Sequence, residues 1–256
     1  MSESLERRRV HKESASLQEG GGEAIRNAFE YVDSSLNRPG DFRSFQGTFR
    51  NLLPEGQEDL RVYIENTLQE RKGHAVGVEF GGPGVALFED FTPHFFRKTI
   101  GVTLREHRRP EQIMDLETHT VLEGDVRTST TYRALEEKLG GERADLIVER
   151  LLGGWDFIQN DPRLFGAMLK KWYSFLNEDG LLIAEGPPPF QTAHKEERDF
   201  FPLLQRWADV LEERHPESLT VRVARSPEFR SPVFSLQRKQ GAPEELPLLE
   251  GPDGIW

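Results

Sequence analysis

The chain has 256 residues, of which 36% are hydrophobic, so it is long enough to bury the core of one α/β domain. Its formal net charge of −11 makes it too acidic to favour phosphate backbones as partners. It contains no cysteine, which excludes disulfides, thiolate metal sites, iron–sulfur clusters and cysteine nucleophiles. Because no stretch approaches about 18 apolar residues and the polar N-terminus lacks an apolar core segment, we expect a cytoplasmic protein with neither a membrane span nor a secretory signal.

The beginning of the chain is predicted as a polar tail followed by a helical extension. Residues 1–20 are polar, and their basic cluster at 7–9 fits a solvated tail better than a nucleic-acid site. Residues 21–36 carry apolar side chains at helical spacing, and a Pro–Gly pair ends that helix. We assign residues 21–54 to an extension that either forms a lid over a site or packs on the edge of the main domain, which we place at residues 55–240.

A glycine-rich turn follows the first predicted strand. The small apolar residues of Ala75 to Phe80 indicate a strand that is covered on both faces and carries Glu79 near its end. Gly81, Gly82 and Gly84 allow turns closed to other residues and a close approach of a ligand to the backbone. A strand, a glycine turn and a helix N-terminus together favour a nucleotide-type site, although a tight turn without a ligand remains the alternative.

Four more β-rich runs follow the glycine turn, with helical segments between them. They lie at residues 99–104, 120–126, 145–149 and 181–185. Strands that alternate with helices predict a parallel sheet covered on both faces, in which a ligand lies over the carboxyl ends of the strands. Acidic residues fall at or just past several of these ends, namely Glu79, Asp125, Glu149 and Glu185.

The last third of the chain is predicted to complete the sheet. Asp161 and Pro162 form a favourable helix start, and Gly180 is predicted to end that helix. Its aromatic residues Trp172, Tyr173 and Phe175 are assigned to the core. A second helix near Pro202 is followed by two strands at 219–224 and 233–238 and by a tail at 241–256.

This ordered series resembles that of the class I S-adenosylmethionine-dependent methyltransferases over about residues 55–240. The family's first motif is an acidic residue before a glycine-rich turn, and Glu79 to Gly84 resembles it with a turn that is one residue shorter. The resemblance implies a doubly wound, mostly parallel, seven-stranded Rossmann-like sheet whose last strand is reversed. It also implies S-adenosylmethionine as the cofactor and methyl transfer to an oxygen or nitrogen atom.

The resemblance further implies a set of cofactor contacts. In the family an acidic residue ends the second strand and holds the ribose hydroxyls, but here Thr103 occupies that place. Gly124-Asp125-Val126 resembles the adenine contact, in which Asp125 accepts from the amino group and the next backbone N–H meets a ring nitrogen; a plain turn is the alternative. The expected cofactor-binding residues are Glu79, Gly81, Gly82, Gly84, Thr103, Asp125, Val126 and Glu149.

Three residues are candidates for the chemistry. The loop after the fourth strand usually faces the methyl group in this family, and here Glu149 is a candidate base or orienter of a substrate amine, while Arg150 is a candidate partner of a carboxylate or phosphate. His194, after the fifth strand, is a candidate titrating base. An ordinary surface role remains open for each of them. No histidine pair has metal-ligand spacing, so no metal is expected.

The sequence leaves several methyl acceptors and several classes of protein open. We expect a small-molecule acceptor first, a protein side chain second and RNA third, because the chain is acidic. The shortened turn and Thr103 favour one alternative, a non-catalytic cofactor-binding or partner subunit on the same fold. A second alternative is an NAD(P)-dependent oxidoreductase, although the G-x-G-x-x-G spacing is missing.

Overall fold

The computed structural model describes residues 42–103, 118–149, 162–187, 189–191, 197–227 and 230–247. The predictions for residues 1–36 and for Arg150, Asp161 and His194 therefore lie outside the described residues.

Within the described residues, two α-helices precede the sheet. Helix α1, Phe42–Phe49, continues into a 3₁₀ turn at Arg50–Leu52, and helix α2 spans Leu60–Thr67. Asp59 caps α2, since its carboxylate accepts from the Val62 N–H at 3.1 Å. Apolar side chains of α1, of the 3₁₀ turn, of α2 and of the residue after α2 are buried: Phe45, Phe49, Leu52, Leu60, Ile64 and Leu68.

Seven strands form one sheet in the order β3-β2-β1-β4-β5-β9-β8. The first five of these strands in the chain are parallel, and β9 runs antiparallel to both β5 and β8. The predicted mostly parallel, seven-stranded sheet with a reversed last strand is therefore confirmed. The strands are β1 Ala75–Phe80, β2 Phe96–Thr103, β3 His119–Glu123, β4 Ala144–Glu149, β5 Leu176–Glu185, β8 Leu219–Arg225 and β9 Pro232–Arg238, and a separate pair is formed by β6 Phe190–Gln191 and β7 Glu197–Arg198.

Alternate strand residues enter two hydrophobic layers, one on each face of the sheet. The first layer lies against α4, α5 and α6 and contains Trp172, Tyr173 and Phe175, which confirms their assignment to the core. The second layer lies against α1, α2 and α3. The remaining helices are α3 Val85–Glu89, α4 Ser129–Leu139, α5 Pro162–Phe175 and α6 Phe201–Arg214.

The third strand ends earlier than predicted. It stops at Glu123, three residues before the expected end: the Gly124 N–H forms the last bond to β2, to the Thr103 carbonyl at 2.8 Å, and a turn follows in which the Thr128 N–H donates to the Asp125 carbonyl at 2.9 Å. Gly124 also lies against α4, where a Cβ would come within 2.5 Å of the Thr131 hydroxyl oxygen. This glycine is thus required by a tertiary contact, which leaves Asp125 and Val126 in a turn.

The prediction that Gly180 ends a helix is wrong. Helix α5 ends at Phe175 and the chain passes directly into β5. The bend that separates the two parts of β5 is made by Asp179, whose φ is 61°, and the Asn177 side chain donates to Asp145 at 3.0 Å. Gly180 therefore serves the irregular start of a strand, where a Cβ would lie 2.9 Å from the Asn177 carbonyl oxygen.

Residues 241–247, the described part of the expected C-terminal tail, contact the domain. The Tyr173 hydroxyl donates to the Pro243 carbonyl at 2.7 Å, and the Trp207 indole N–H donates to the Pro247 carbonyl at 3.3 Å. Leu246 is buried in the first hydrophobic layer. Over the described ranges, no helix has the length and apolar character required to span a bilayer.

One buried carboxylate ties the amino-terminal ends of the central strands together. Asp145, at the start of β4, is 3% exposed and accepts from the Val76 N–H at 2.8 Å and from the Asn177 amide at 3.0 Å. The Arg71 guanidinium lies 3.5 Å from it. A carboxylate in this position satisfies donors from β1 and β5 at once.

We expect Asp145→Ala to lower the free energy of unfolding by about 1–3 kcal/mol, because the buried Val76 N–H loses its side-chain acceptor. Urea denaturation measures this loss. The control is Glu142→Ala, which removes an exposed partner of Arg97 and Lys98 and should cost less than about 1 kcal/mol. Equal costs for the two variants would contradict the proposed role of Asp145.

Candidate functional site

Three carboxylates are buried near the carboxyl ends of three neighbouring strands. Glu79 is the penultimate residue of β1, Glu149 ends β4 and Glu185 ends β5, and they are 6%, 0% and 5% exposed. The register pairs Phe80 with Glu149 and Glu149 with Ala184. The structure thus brings these acidic residues to one edge of the sheet, where parallel α/β folds bind their ligands.

Glu149 and Glu185 are part of a hydrogen-bonded group. The backbone N–H of Glu185 donates to Glu149 Oε2 at 3.2 Å, and the Ser231 hydroxyl donates to the Glu185 carboxylate. These contacts link the ends of β4, β5 and the segment before β9. Such bonds fix the direction of a buried carboxylate and offset part of the cost of its burial.

The glycine turn sits directly on the Glu79 carboxylate. A Cβ on Gly82 would lie 2.7 and 2.8 Å from the two Glu79 oxygens, so only glycine allows the backbone to approach this carboxylate. Gly81 and Gly84 have φ angles of 93° and 80°, which side chains disfavour. The Gly81 N–H donates to the Val102 carbonyl at 2.9 Å and fixes the turn to β2.

The far side of the turn rests on residues that sequence reasoning missed. A Cβ on Gly101, within β2, would overlap the Pro83 carbonyl, and His119 Nε2 lies 2.9 Å from the same carbonyl oxygen. Thr99 contacts the other ring nitrogen of His119. A glycine inside a predicted strand was the available signal, since it often marks the close approach of another backbone; neither Thr99 nor His119 carried one.

The residues predicted to contact the ribose and the adenine lie at the end of β2 and just after β3. Thr103 ends β2, is 7% exposed, and its carbonyl accepts from the Gly124 N–H. Asp125 accepts from the Arg127 backbone N–H at 2.9 Å and forms a bidentate ion pair with the Arg127 guanidinium, at 2.6 Å for the shortest contact. Val126 packs against the first hydrophobic layer. The turn role of Asp125 is therefore visible, and its adenine contact stays a prediction.

Arg127 controls the charge of Asp125. Partial burial alone would raise the pKa of Asp125, but the hydrogen bonds and positive charge of Arg127 outweigh it and leave this pKa below its ordinary value of 3.8. Asp125 is consequently ionised throughout the neutral range. A carboxylate that accepts from Arg127 retains lone pairs for a further donor.

Two buried donors face this part of the molecule. The Tyr132 hydroxyl on α4 and the Trp172 indole N–H on α5 are both buried and lie near each other, but they do not meet the geometry of a hydrogen bond, and neither has another hydrogen-bond partner within the described part of the chain. Burial raises the pKa of Tyr132; the Trp172 N–H lowers it, while the charges of Glu149 and Asp125 raise it further. The Tyr132 hydroxyl thus stays protonated and lies near the ends of β3 and β4, where it can donate.

Metal binding has no support among the residues described. No group of three or more histidine, aspartate or glutamate side chains within the described ranges is arranged to hold a metal ion. The two catalytic candidates Arg150 and His194 lie outside these ranges, so Glu149 is the catalytic candidate whose position the structure gives.

Comparison with known proteins reveals the fold at low sequence identity. No protein-family model and no curated protein sequence matches the chain. The plantazolicin methyltransferase BpumL, solved with a triazolic desmethylPZN analog and S-adenosylhomocysteine, matches 94% of this chain and 100% of its own at 10% identity and a TM-score of 0.52. The chain has the class I methyltransferase fold. The resemblance stated from the motif series is thus confirmed at the level of the fold.

Two further solved structures are similar to this methyltransferase-fold chain. The N-methyltransferase NodS from Bradyrhizobium japonicum WM9, in complex with S-adenosylhomocysteine, is 14% identical, covers 84% of this chain and 99% of its own, and has a TM-score of 0.43. An rRNA methylase from Streptococcus thermophilus is 12% identical, covers 72% of this chain and 100% of its own, and has a TM-score of 0.45. Both scores are below 0.5, and the fold assignment rests on BpumL.

The contact between the glycine turn and β2 predicts the effect of a single methyl group. Gly101→Ala should lower the free energy of unfolding by about 1–3 kcal/mol and shift the backbone amide signals of Gly81, Gly82 and Gly84, because the new Cβ displaces the Pro83 carbonyl. Urea denaturation and ¹H–¹⁵N spectra measure the two effects.

The matched control is Gly141→Ala. Gly141 has a φ of 87° but open space around its Cβ position, so alanine there strains the local backbone without reaching the turn. Unchanged turn amides in Gly141→Ala, together with shifted ones in Gly101→Ala, are expected. Unchanged turn amides in both variants would contradict the contact.

The Asp125–Arg127 pair predicts a pH dependence of stability. Because the folded pKa of Asp125 lies below its unfolded value, the pair stabilises the protein above about pH 4, and this contribution is lost as the pH falls through the folded pKa. Arg127→Gln should therefore cost up to about 1 kcal/mol at pH 7 and progressively less as the pH falls below about 4. Thermal unfolding across this range is the measurement, and the exposed Arg133→Gln is the control. A difference in stability between the wild type and Arg127→Gln that does not change with pH would contradict the proposed role of the pair.

Proposed function

We propose that this protein transfers a methyl group from S-adenosylmethionine to an oxygen or nitrogen atom of a small molecule. The observation that carries the proposal is the glycine turn seated on the buried Glu79 carboxylate, at the end of the first strand of a class I methyltransferase fold. A turn with this geometry brings backbone close to a ligand at the carboxyl edge of the sheet.

The residues at this edge fit the cofactor. The turn leaves no room for a Cβ at Gly82, and Gly84 lies against His119 and the backbone of β2. Backbone atoms of the turn, and no side chains of these glycines, would therefore contact the cofactor. We assign Glu79 and the glycine turn to the amino-acid part of the cofactor, Thr103 to the ribose, and Asp125 with Val126 to the adenine. The buried Tyr132 hydroxyl supplies a donor near the same strand ends.

The reaction needs little from the protein beyond position and a proton acceptor. Bound S-adenosylmethionine supplies an electrophilic methyl group, whose bond to sulfur breaks as a bond to the acceptor atom forms. The chain holds the acceptor in line, excludes water and takes the acceptor's proton where one is released. We assign the proton-accepting or amine-orienting role to Glu149, because it is fully buried at the end of β4 and its direction is fixed by the Glu185 N–H.

Charge supports a small acceptor over a nucleic acid. The chain carries a formal net charge of −11, and the buried carboxylates of Glu79, Glu149 and Glu185 lie at one edge of the sheet. A net negative charge of this size disfavours a phosphate backbone as a partner. A neutral or amine-bearing small molecule fits best, a protein side chain next and RNA third.

Two observations favour a second candidate function. The carboxylate proposed to contact adenine is already paired with Arg127, and the glycine turn is short. These features support a subunit that binds the cofactor without turnover and serves a partner protein. Binding without any methyl transfer would distinguish this candidate from an enzyme.

The first experiment is calorimetric titration of the full chain with S-adenosylhomocysteine, with NAD⁺ as the control for the oxidoreductase alternative. We expect a micromolar Kd for S-adenosylhomocysteine and no heat for NAD⁺. The reverse pattern, or no binding of S-adenosylhomocysteine, would contradict the proposed function.

Turnover is then tested with methyl-labelled S-adenosylmethionine and a low-molecular-mass cell extract as the source of acceptors. Glu149→Gln should retain cofactor affinity within a few-fold but lower the rate of label transfer by about 10²–10⁴-fold, the scale of a lost general base. The exposed Glu137→Gln is the control. A Glu149→Gln variant with the wild-type rate would remove Glu149 from the chemistry.

A further inference from the structure

His119 joins the second strand, the third strand and the glycine turn. It is the first residue of β3, and its ring lies between two oxygen atoms from different segments. Nδ1 is 2.7 Å from the Thr99 hydroxyl oxygen, and Nε2 is 2.9 Å from the Pro83 carbonyl oxygen. The imidazole thus links the sheet to Pro83 in the glycine turn.

The chemistry of the partners determines the tautomer of the ring. A carbonyl oxygen can only accept, so Nε2 carries the hydrogen and donates to Pro83. In the neutral ring Nδ1 then accepts, and the Thr99 hydroxyl donates to it, since Nδ1 at 2.7 Å is nearer than the other acceptor, the Thr118 carbonyl at 3.5 Å. Thr99 and His119 are register partners on β2 and β3, so the sheet itself holds the hydroxyl that orients the ring.

The bond to Pro83 determines the direction of the next backbone N–H. No peptide bond among the described residues is cis, and in a trans peptide the carbonyl and the following N–H point in opposite directions. Because the Pro83 carbonyl points at His119, the Gly84 N–H points away from His119, to the opposite side of the turn.

The surrounding backbone allows little freedom for this peptide group. A Cβ on Gly84 would lie 3.0 Å from His119 Cε1 and 3.1 Å from Gly101 Cα, so the turn is in contact with both residues. Contact alone holds the turn close to β2, but it does not choose the rotation of the Pro83–Gly84 peptide plane. The directional hydrogen bond from His119 makes that choice.

We propose that His119 is a positioning residue for the cofactor: oriented by Thr99, it fixes the Pro83–Gly84 peptide plane so that the Gly84 N–H points at an oxygen atom of the bound ligand. This proposal rests on the proposed function. It assigns His119 no contact with the cofactor and no part in proton transfer.

Nitrogen NMR of the ligand-free protein tests the geometry independently of any activity. The ring of His119 should show a protonated Nε2 and an unprotonated Nδ1, and Thr99→Val should change the Nδ1 signal because its donor is lost. A ring with the hydrogen on Nδ1 would overturn the proposal, whatever the protein binds.

Ligand titration tests the positioning role. With S-adenosylhomocysteine as the probe, His119→Phe should raise the Kd by about tenfold, the scale of one lost hydrogen bond, and abolish the shift of the Gly84 amide on binding. His119→Gln, whose side-chain amide can donate to the Pro83 carbonyl, should restore much of the affinity. The exposed His74→Gln is the matched control and should bind like the wild type.

The outcomes separate the two proposals. Wild-type affinity in a folded His119→Phe variant, or the same loss in His119→Phe and His119→Gln, would overturn the positioning role alone. If the wild type does not bind S-adenosylhomocysteine, the proposed function is overturned, and the proposed contact of the Gly84 N–H with the ligand is overturned with it. If His119→Phe does not fold, Thr99→Val gives the same test, with a smaller rise in Kd expected and an unchanged Kd counting against the proposal.

Discussion

The Pro83 carbonyl lies so close to the backbone of β2 that residue 101 has room for a hydrogen atom and no side chain. This contact brings the glycine turn down onto the sheet. It determines where α3 begins, places Gly82 against the Glu79 carboxylate and presents Pro83 to His119. The proposed cofactor site is therefore built from backbone packing first, and side chains refine it.

Polar groups at the carboxyl edge differ in how firmly they are held. Glu149 and Glu185 are fully or almost fully buried and joined by a backbone N–H and the Ser231 hydroxyl, so they have few alternative positions. Asp125 and Arg127 are partly exposed and form a local pair. A buried group suits chemistry that requires fixed geometry, whereas the exposed pair can exchange partners at low cost.

Local patterns predicted the elements well and tertiary contacts poorly. The bounds of β1 follow from the sequence alone, because a run of small apolar residues ends in an acidic residue and glycines. The third strand was predicted too long because the contact of Gly124 with Thr131 on α4 is tertiary, and Gly180 was wrongly assigned to a helix end because it lies in the irregular start of β5. His119 gave no signal because a single histidine at the start of a β-rich run acquires its role only when the sheet brings Pro83 beside it.

The order of the strands in the sheet differs from their order in the chain, and this has a consequence for folding during synthesis. Each of the strands β2 to β5 can pair with a strand that has already emerged from the ribosome. Strand β8 cannot, because its one neighbour in the sheet is β9, which follows it. The Tyr173 and Trp207 side chains bond to residues that emerge later still, at Pro243 and Pro247. The nascent domain therefore leaves the hydrogen-bonding edge of β8 unpaired until β9 has emerged.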